Sequence, residues 1–84
     1  MKYYLSELIS NRLETERYYL LYKVAVQSIL IELGKDVELV TFIDDADVLI
    51  ISSEDTYPFE RLNNRRKSIY TLKRVDDKVT VKVI

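Results

Sequence analysis

Carboxylates gather at two points of this chain and arginines at a third, and these are the side chains whose types and spacing could do chemistry. Asp44, Asp45 and Asp47 precede a short apolar run; Glu54 and Asp55 follow it. A hard cation such as magnesium needs carboxylates that converge on one point. Asp47 and Asp55 would lie roughly 26 Å apart on an extended strand, so the two clusters cannot share an ion within one chain. The spacing also lacks the glycine and the terminal glutamate of a calcium loop. Asp44, Asp45 and Asp47 therefore read either as a solvated turn, where aspartates accept local backbone hydrogen bonds, or as an acidic surface offered to a basic partner. No metal and no cofactor are expected.

The third group is basic: Arg61, Arg65, Arg66 and Lys67, with Tyr57 and Tyr70 nearby in sequence. Guanidinium forks bind phosphate oxygens and tyrosine faces stack on unpaired bases, so these six residues form the candidate nucleic-acid contact. Lys73, Arg74, Lys78 and Lys82 follow, but neighbours on a strand point to opposite faces, so they cannot all join one patch. The isoelectric point near 5.4 also differs from the basic balance of most nucleic-acid modules.

Together the groups divide the chain electrically. Residues 1–60 carry a net charge of −7 and residues 61–84 a net of +6, which the overall −1 conceals. Such asymmetry points to a charged partner or to self-association, and says nothing about fold.

Other chemistries are removed by composition. The chain has no cysteine and no histidine, so disulfides, thiolate metal sites, the commonest general base and the commonest zinc ligand are all missing. One glycine, Gly34, cannot build a phosphate-cradling loop. Without histidine, a serine nucleophile would depend on lysine or a carboxylate, and nothing marks a strained nucleophile turn. The expectation is a protein that is not an enzyme.

These groups must be positioned by a single domain spanning residues 1–84, near the lower size limit for independent folding. From Tyr3 to Leu33 there is no glycine or proline, and apolar residues recur at three and four (Leu5, Leu8, Ile9, Leu13, Leu20, Val24, Ile31), which predicts one long helix closed by Gly34. A straight helix of that length would span roughly 46 Å in a globule only about 31 Å across. Either it breaks near residues 10–12, where Asn11 and Glu14 have capping-box spacing, or it overhangs onto a second copy. Val37 to Phe42 and Asp47 to Ser52 read as strands; the link between them is too short for a crossover helix, which predicts an antiparallel hairpin. Val48 to Ile51, apolar on both faces, reads as a central strand. Ser53 to Lys67 is irregular, with a short helix over Phe59 to Asn64 as one option. Ser68 to Val75 and Val79 to Ile84 form a second hairpin around Asp76-Asp77-Lys78. The expected fold class is thus α+β: one long N-terminal helix, with a break near residues 10–12 as the alternative, packed on a four-stranded antiparallel sheet of two hairpins.

The second half of the helix is apolar nearly all round, more than one sheet face can cover. Tyr18, Tyr22, Val26, Ile29 and Leu33 follow one another at three and four and form the candidate dimer seam. The alternative is that they are core residues under a curled sheet. No signal-peptide pattern and no run near 18 clean apolar residues is present, so a soluble, cytoplasmic protein with no membrane partner is expected. The scarcity of glutamine, asparagine, methionine and cysteine beside 32% charged residues matches a thermophilic profile. The sequence points to a small homodimeric binding protein, non-enzymatic, that engages a macromolecular partner through charged surfaces. The alternatives are a nucleic-acid-binding or regulatory protein using segment 61–67, and an acidic-surface inhibitor of a basic partner protein. No family is recognised from these residues.

Overall fold

The first turn of regular structure is a strand. In the computed structural model, which describes residues 1–15, 19–55 and 67–83, Lys2–Leu5 forms β1, and Ser6 then caps a helix, α1 (Glu7–Thr15). The buried Ser6 hydroxyl accepts a hydrogen bond from the Ile9 amide at 3.3 Å, which satisfies one of the free N–H groups of the first turn. A second helix, α2 (Tyr19–Leu33), ends at Gly34, whose φ of 108° suits only a residue without a Cβ. The expected single helix is therefore overturned: its first residues are strand, residues 10–12 lie within α1 where a break was expected, and α1 and α2 pack on each other as separate helices. The molecule is 33 Å in its longest dimension, too short for the continuous helix.

Among the described residues three more strands and a two-residue one join β1 in a five-stranded sheet: β2 (Glu38–Leu39), β3 (Val48–Ser52), β4 (Ser68–Val75) and β5 (Lys78–Val83), in the order β2-β1-β3-β4-β5. β1 pairs in parallel with both β2 and β3, β3 pairs in parallel with β4, and only β4 and β5 are antiparallel. The fold is α+β with a mostly parallel sheet, not a four-stranded antiparallel one. The second hairpin forms as the pattern predicts, with Asp76 at φ 54° in its turn. The first does not. β2 and β3 never touch, because β1 lies between them; the link need only pass beneath one strand, roughly 10 Å, and a single 3-10 turn over Ile43–Asp45 suffices.

Two apolar layers hold the sheet. On one face Ile9 and Leu13 of α1 and Tyr22, Val26 and Ile29 of α2 pack on Val48, Ile50, Tyr70 and Leu72, with Val79 partly buried beside them. On the other, Val40, Ile43 and Ala46 around the 3-10 turn pack with Leu49, Ile51 and Ile69. All five residues of β3 are buried, as a strand covered on both sides requires. The sequence option of a short helix at Phe59 to Asn64 lies outside the described residues.

Candidate functional site

The carboxyl ends of β1 and β3 are where a mostly parallel sheet most often binds ligands, since the connections leave those two adjacent strands in opposite directions. Here α1 fills that position with Arg12. Its Nη1 donates to the Ser52 hydroxyl at 3.0 Å and to the Tyr22 hydroxyl at 3.1 Å, its Nη2 is paired with Glu54, and its guanidinium carbon sits 5.4 Å from the centre of the Tyr22 ring. Ser52 ties the end of β3 to the following turn: its hydroxyl accepts the Glu54 amide at 3.1 Å, and its own amide donates to the Asp55 carboxylate at 2.7 Å. Burial lowers the Arg12 pKa, but the hydrogen bond to and charge of Glu54 and the contact with the Tyr22 hydroxyl outweigh it, and the group is held above its ordinary value. It stays charged.

This constellation ties the fold together. The Ser52 hydroxyl accepts the hydrogen bonds of the Arg12 guanidinium and the Glu54 amide. Arg12 links α1, α2 and β3, and its side chain is only 15% exposed. The sequence contains no spacing signal for it, since Arg12, Tyr22, Ser52 and Glu54 are far apart along the chain and meet only in the fold.

The acidic residues do not converge. Asp44 and Asp45 lie in the 3-10 turn; the Asp47 carboxylate accepts the Lys2 amide at 2.9 Å beside β1. No group of three acidic side chains among the described residues is placed to hold a metal ion. Of the basic set, the Lys67 ammonium donates to the carbonyls of Ile43 and Asp44, at 3.3 and 3.4 Å, and to that of Ala46, so it caps the backbone of the 3-10 turn. Tyr70 is 7% exposed and belongs to the core under α2. Tyr57, Arg61, Arg65 and Arg66 lie outside the described residues. The negative and positive parts of the chain thus meet in space at Lys67.

No family model, curated protein or solved structure matches this chain. Its function must be sought in its own geometry.

The residues of the expected dimer seam occupy the interior. Tyr22, Val26 and Ile29 are buried against the sheet, Leu33 packs partly against them, and Tyr18 lies outside the described residues. The opposite row of α2 carries the surplus. At 3.6 residues a turn, Leu20, Val24 and Ile31 fall within about 40° of one another, and they are 58%, 61% and 80% exposed. Beside them runs β5, the edge strand of the sheet among the described residues, with Val81 and Val83 exposed. An open groove of about 450 Å³ lies between the two elements, lined by Leu21, Val24, Ala25 and Ser28 of α2, by Lys78, Val79, Thr80 and Val81 of β5, and by Asp77 of the turn before it. This flank is mostly apolar over a helix and a strand that are distant in sequence, with Asp77, Lys78 and Thr80 at its margin. Among the described residues no helix is long and apolar enough to cross a membrane.

Proposed function

We propose that the chain is a small non-enzymatic binding protein that works as a homodimer, using the flank formed by α2 and β5. The observation that carries this reading is the exposure of Leu20, Val24 and Ile31 on a helix whose opposite row is already in the core. A surface helix needs one apolar stripe; α2 has two, and the second lacks a cover within the described chain. The charged residues support it in a different way. Arg12, Lys67 and Asp47 are engaged within the fold, so the apolar flank, and not a charged pole, is the larger free feature among the described residues.

The test is mass in solution. Light scattering at tens of micromolar is expected to give a dimer, and Val24→Glu, which puts a charge at the mouth of the groove, is expected to give a monomer with unchanged circular dichroism. A wild-type chain that is monomeric at that concentration refutes the reading.

A further inference from the structure

The exposed row of α2 is not enough to make a stable interface by itself. Even an aromatic side chain buries only about 150–250 Å², so three aliphatic ones fall short of the roughly 800 Å² per partner of a typical specific contact. β5 supplies the remainder, and its own pattern says how. The hairpin closes over Asp76-Asp77, with Val75 opposite Lys78. In such a turn the closing pair exchanges backbone hydrogen bonds, and the alternation along the strand then aims the amides and carbonyls of Lys78, Thr80 and Lys82 at β4. Those of Val79, Val81 and Val83 point away from the sheet. The register with β4 places the Val79, Val81 and Val83 side chains on the helix face, with Tyr70 and Leu72, and Lys78, Thr80 and Lys82 on the other.

We propose that two copies of this chain join β5 to β5 in antiparallel fashion, with the two-fold axis at Val81, to give one continuous sheet. The proposal rests on the homodimer reading above and assigns its geometry. Directly opposite residues share a face, so the axis must pass at a residue of β5, and two positions give extended pairing. With the axis at Thr80, Lys78 of each copy faces Lys82 of the other, and like charges directly opposite are destabilising. With the axis at Val81, Val81 meets its own mate, Val79 meets Val83, and Thr80 meets Lys82; no charge faces a like charge, and all three outward-pointing valines exchange backbone hydrogen bonds. The two lysines thus exclude one register and tolerate the other. The same pairing brings the two grooves together on the helix face, where Val24 and Ser28 of each α2 face the partner across Val81. A foreign extended peptide would satisfy the strand edge but leave Leu21 and Val24 of α2 uncovered on the groove side, whereas a second copy brings a strand and a helix in the same relation.

Because the chain has no cysteine, cross-linking reads the register directly. In this geometry the two Val81 Cα atoms are about 5.5 Å apart, inside the range a disulfide spans, while the two Val83 Cα atoms are more than about 13 Å apart. Val81→Cys is expected to form a covalent dimer under mild oxidation or with a short thiol-specific linker, and Val83→Cys to remain uncoupled. As an independent check, an equimolar mixture of Thr80→Cys and Lys82→Cys chains should give the mixed disulfide in preference to either self-linked species, since only the mixed pair lies directly opposite. A wild-type dimer by light scattering without the Val81 link and without the mixed disulfide overturns the β5 axis and leaves the homodimer reading standing. A monomeric wild type removes both.

Discussion

Replacing Arg12 by methionine keeps the aliphatic stem and removes the guanidinium. The Tyr22 hydroxyl, on a residue 1% exposed, loses a donor, and Ser52 loses one of two. An orphaned buried polar group costs about 1–3 kcal/mol; taking the Tyr22 hydroxyl as fully orphaned and Ser52 as partly so gives a loss of about 3 kcal/mol. For a domain of this size that lowers Tm by roughly 12–24 °C. Glu54→Gln is a different perturbation, because Glu54 is 66% exposed and such a pair is worth about 0.2–1 kcal/mol in water. The two arms separate a buried clamp from a surface ion pair. Urea unfolding at a fixed chain concentration, so that self-association does not move the baseline, should show Arg12→Met costing several times more than Glu54→Gln. Tyr22→Phe then provides the cycle: it should cost stability in the wild-type background and restore about 1 kcal/mol in the Arg12→Met background, where it removes the orphan. An Arg12→Met loss below about 1 kcal/mol, or a Tyr22→Phe cost that is the same in both backgrounds, would show that the hydroxyls do not depend on Arg12 and that the clamp has been misjudged.

Three further substitutions test the elements around it. Ser6→Ala removes a buried helix cap and should cost about 1 kcal/mol in a urea titration, with the loss of α1 helicity read by amide exchange at Ile9. Gly34→Ala forces a Cβ into a left-handed backbone with no neighbouring atoms in the way, so the cost is torsional, about 1–2 kcal/mol, and a crystal structure should show the helix end shifted and not a displaced neighbour. Lys67→Met uncaps the carbonyls of the 3-10 turn and should cost about 1–2 kcal/mol, an effect retained in high salt because the acceptors are dipoles rather than ions.

Much of this architecture is legible in the sequence, and the rest is hidden for identifiable reasons. β3, β4, β5 and the end of α2 follow from apolar runs, an alternating strand and Gly34, signals that local physics writes clearly. β1 is masked because Tyr3 and Leu5 happen to continue the helical spacing of Leu8, Ile9 and Leu13; four residues cannot distinguish the two periods. Ser6 before an acidic first turn is the available cue. The parallel pairing is hidden because β2 is only two residues long and ends level with the start of β3, Leu39 and Val48 both lying opposite Tyr3, so the link crosses β1 without returning along a strand. On α2 the pattern shows two apolar rows and has no means of ranking them, so the buried Tyr22–Val26–Ile29 row reads as a contact face. The Arg12 cluster is assembled only by tertiary structure, and Tyr70 and Lys67, whose chemistry suits a nucleic acid, are used by the core and by the 3-10 turn.

The position of β1 also has a cost in time. Its partner in β3 lies about 45 residues further on, and its partner in β2 about 36, with both helices intervening. On a growing chain α1 and α2 are complete while β1 still has neither neighbour, so the local order of events is helix pair first and sheet afterwards. Such non-local pairing slows folding relative to helical domains of equal length. Until residues 38–39 emerge β1 is unpaired on both edges, and until residues 48–52 emerge it is unpaired on the edge that β3 will take, a form prone to capture by another nascent chain. Yield should therefore fall as synthesis rate and chain density rise.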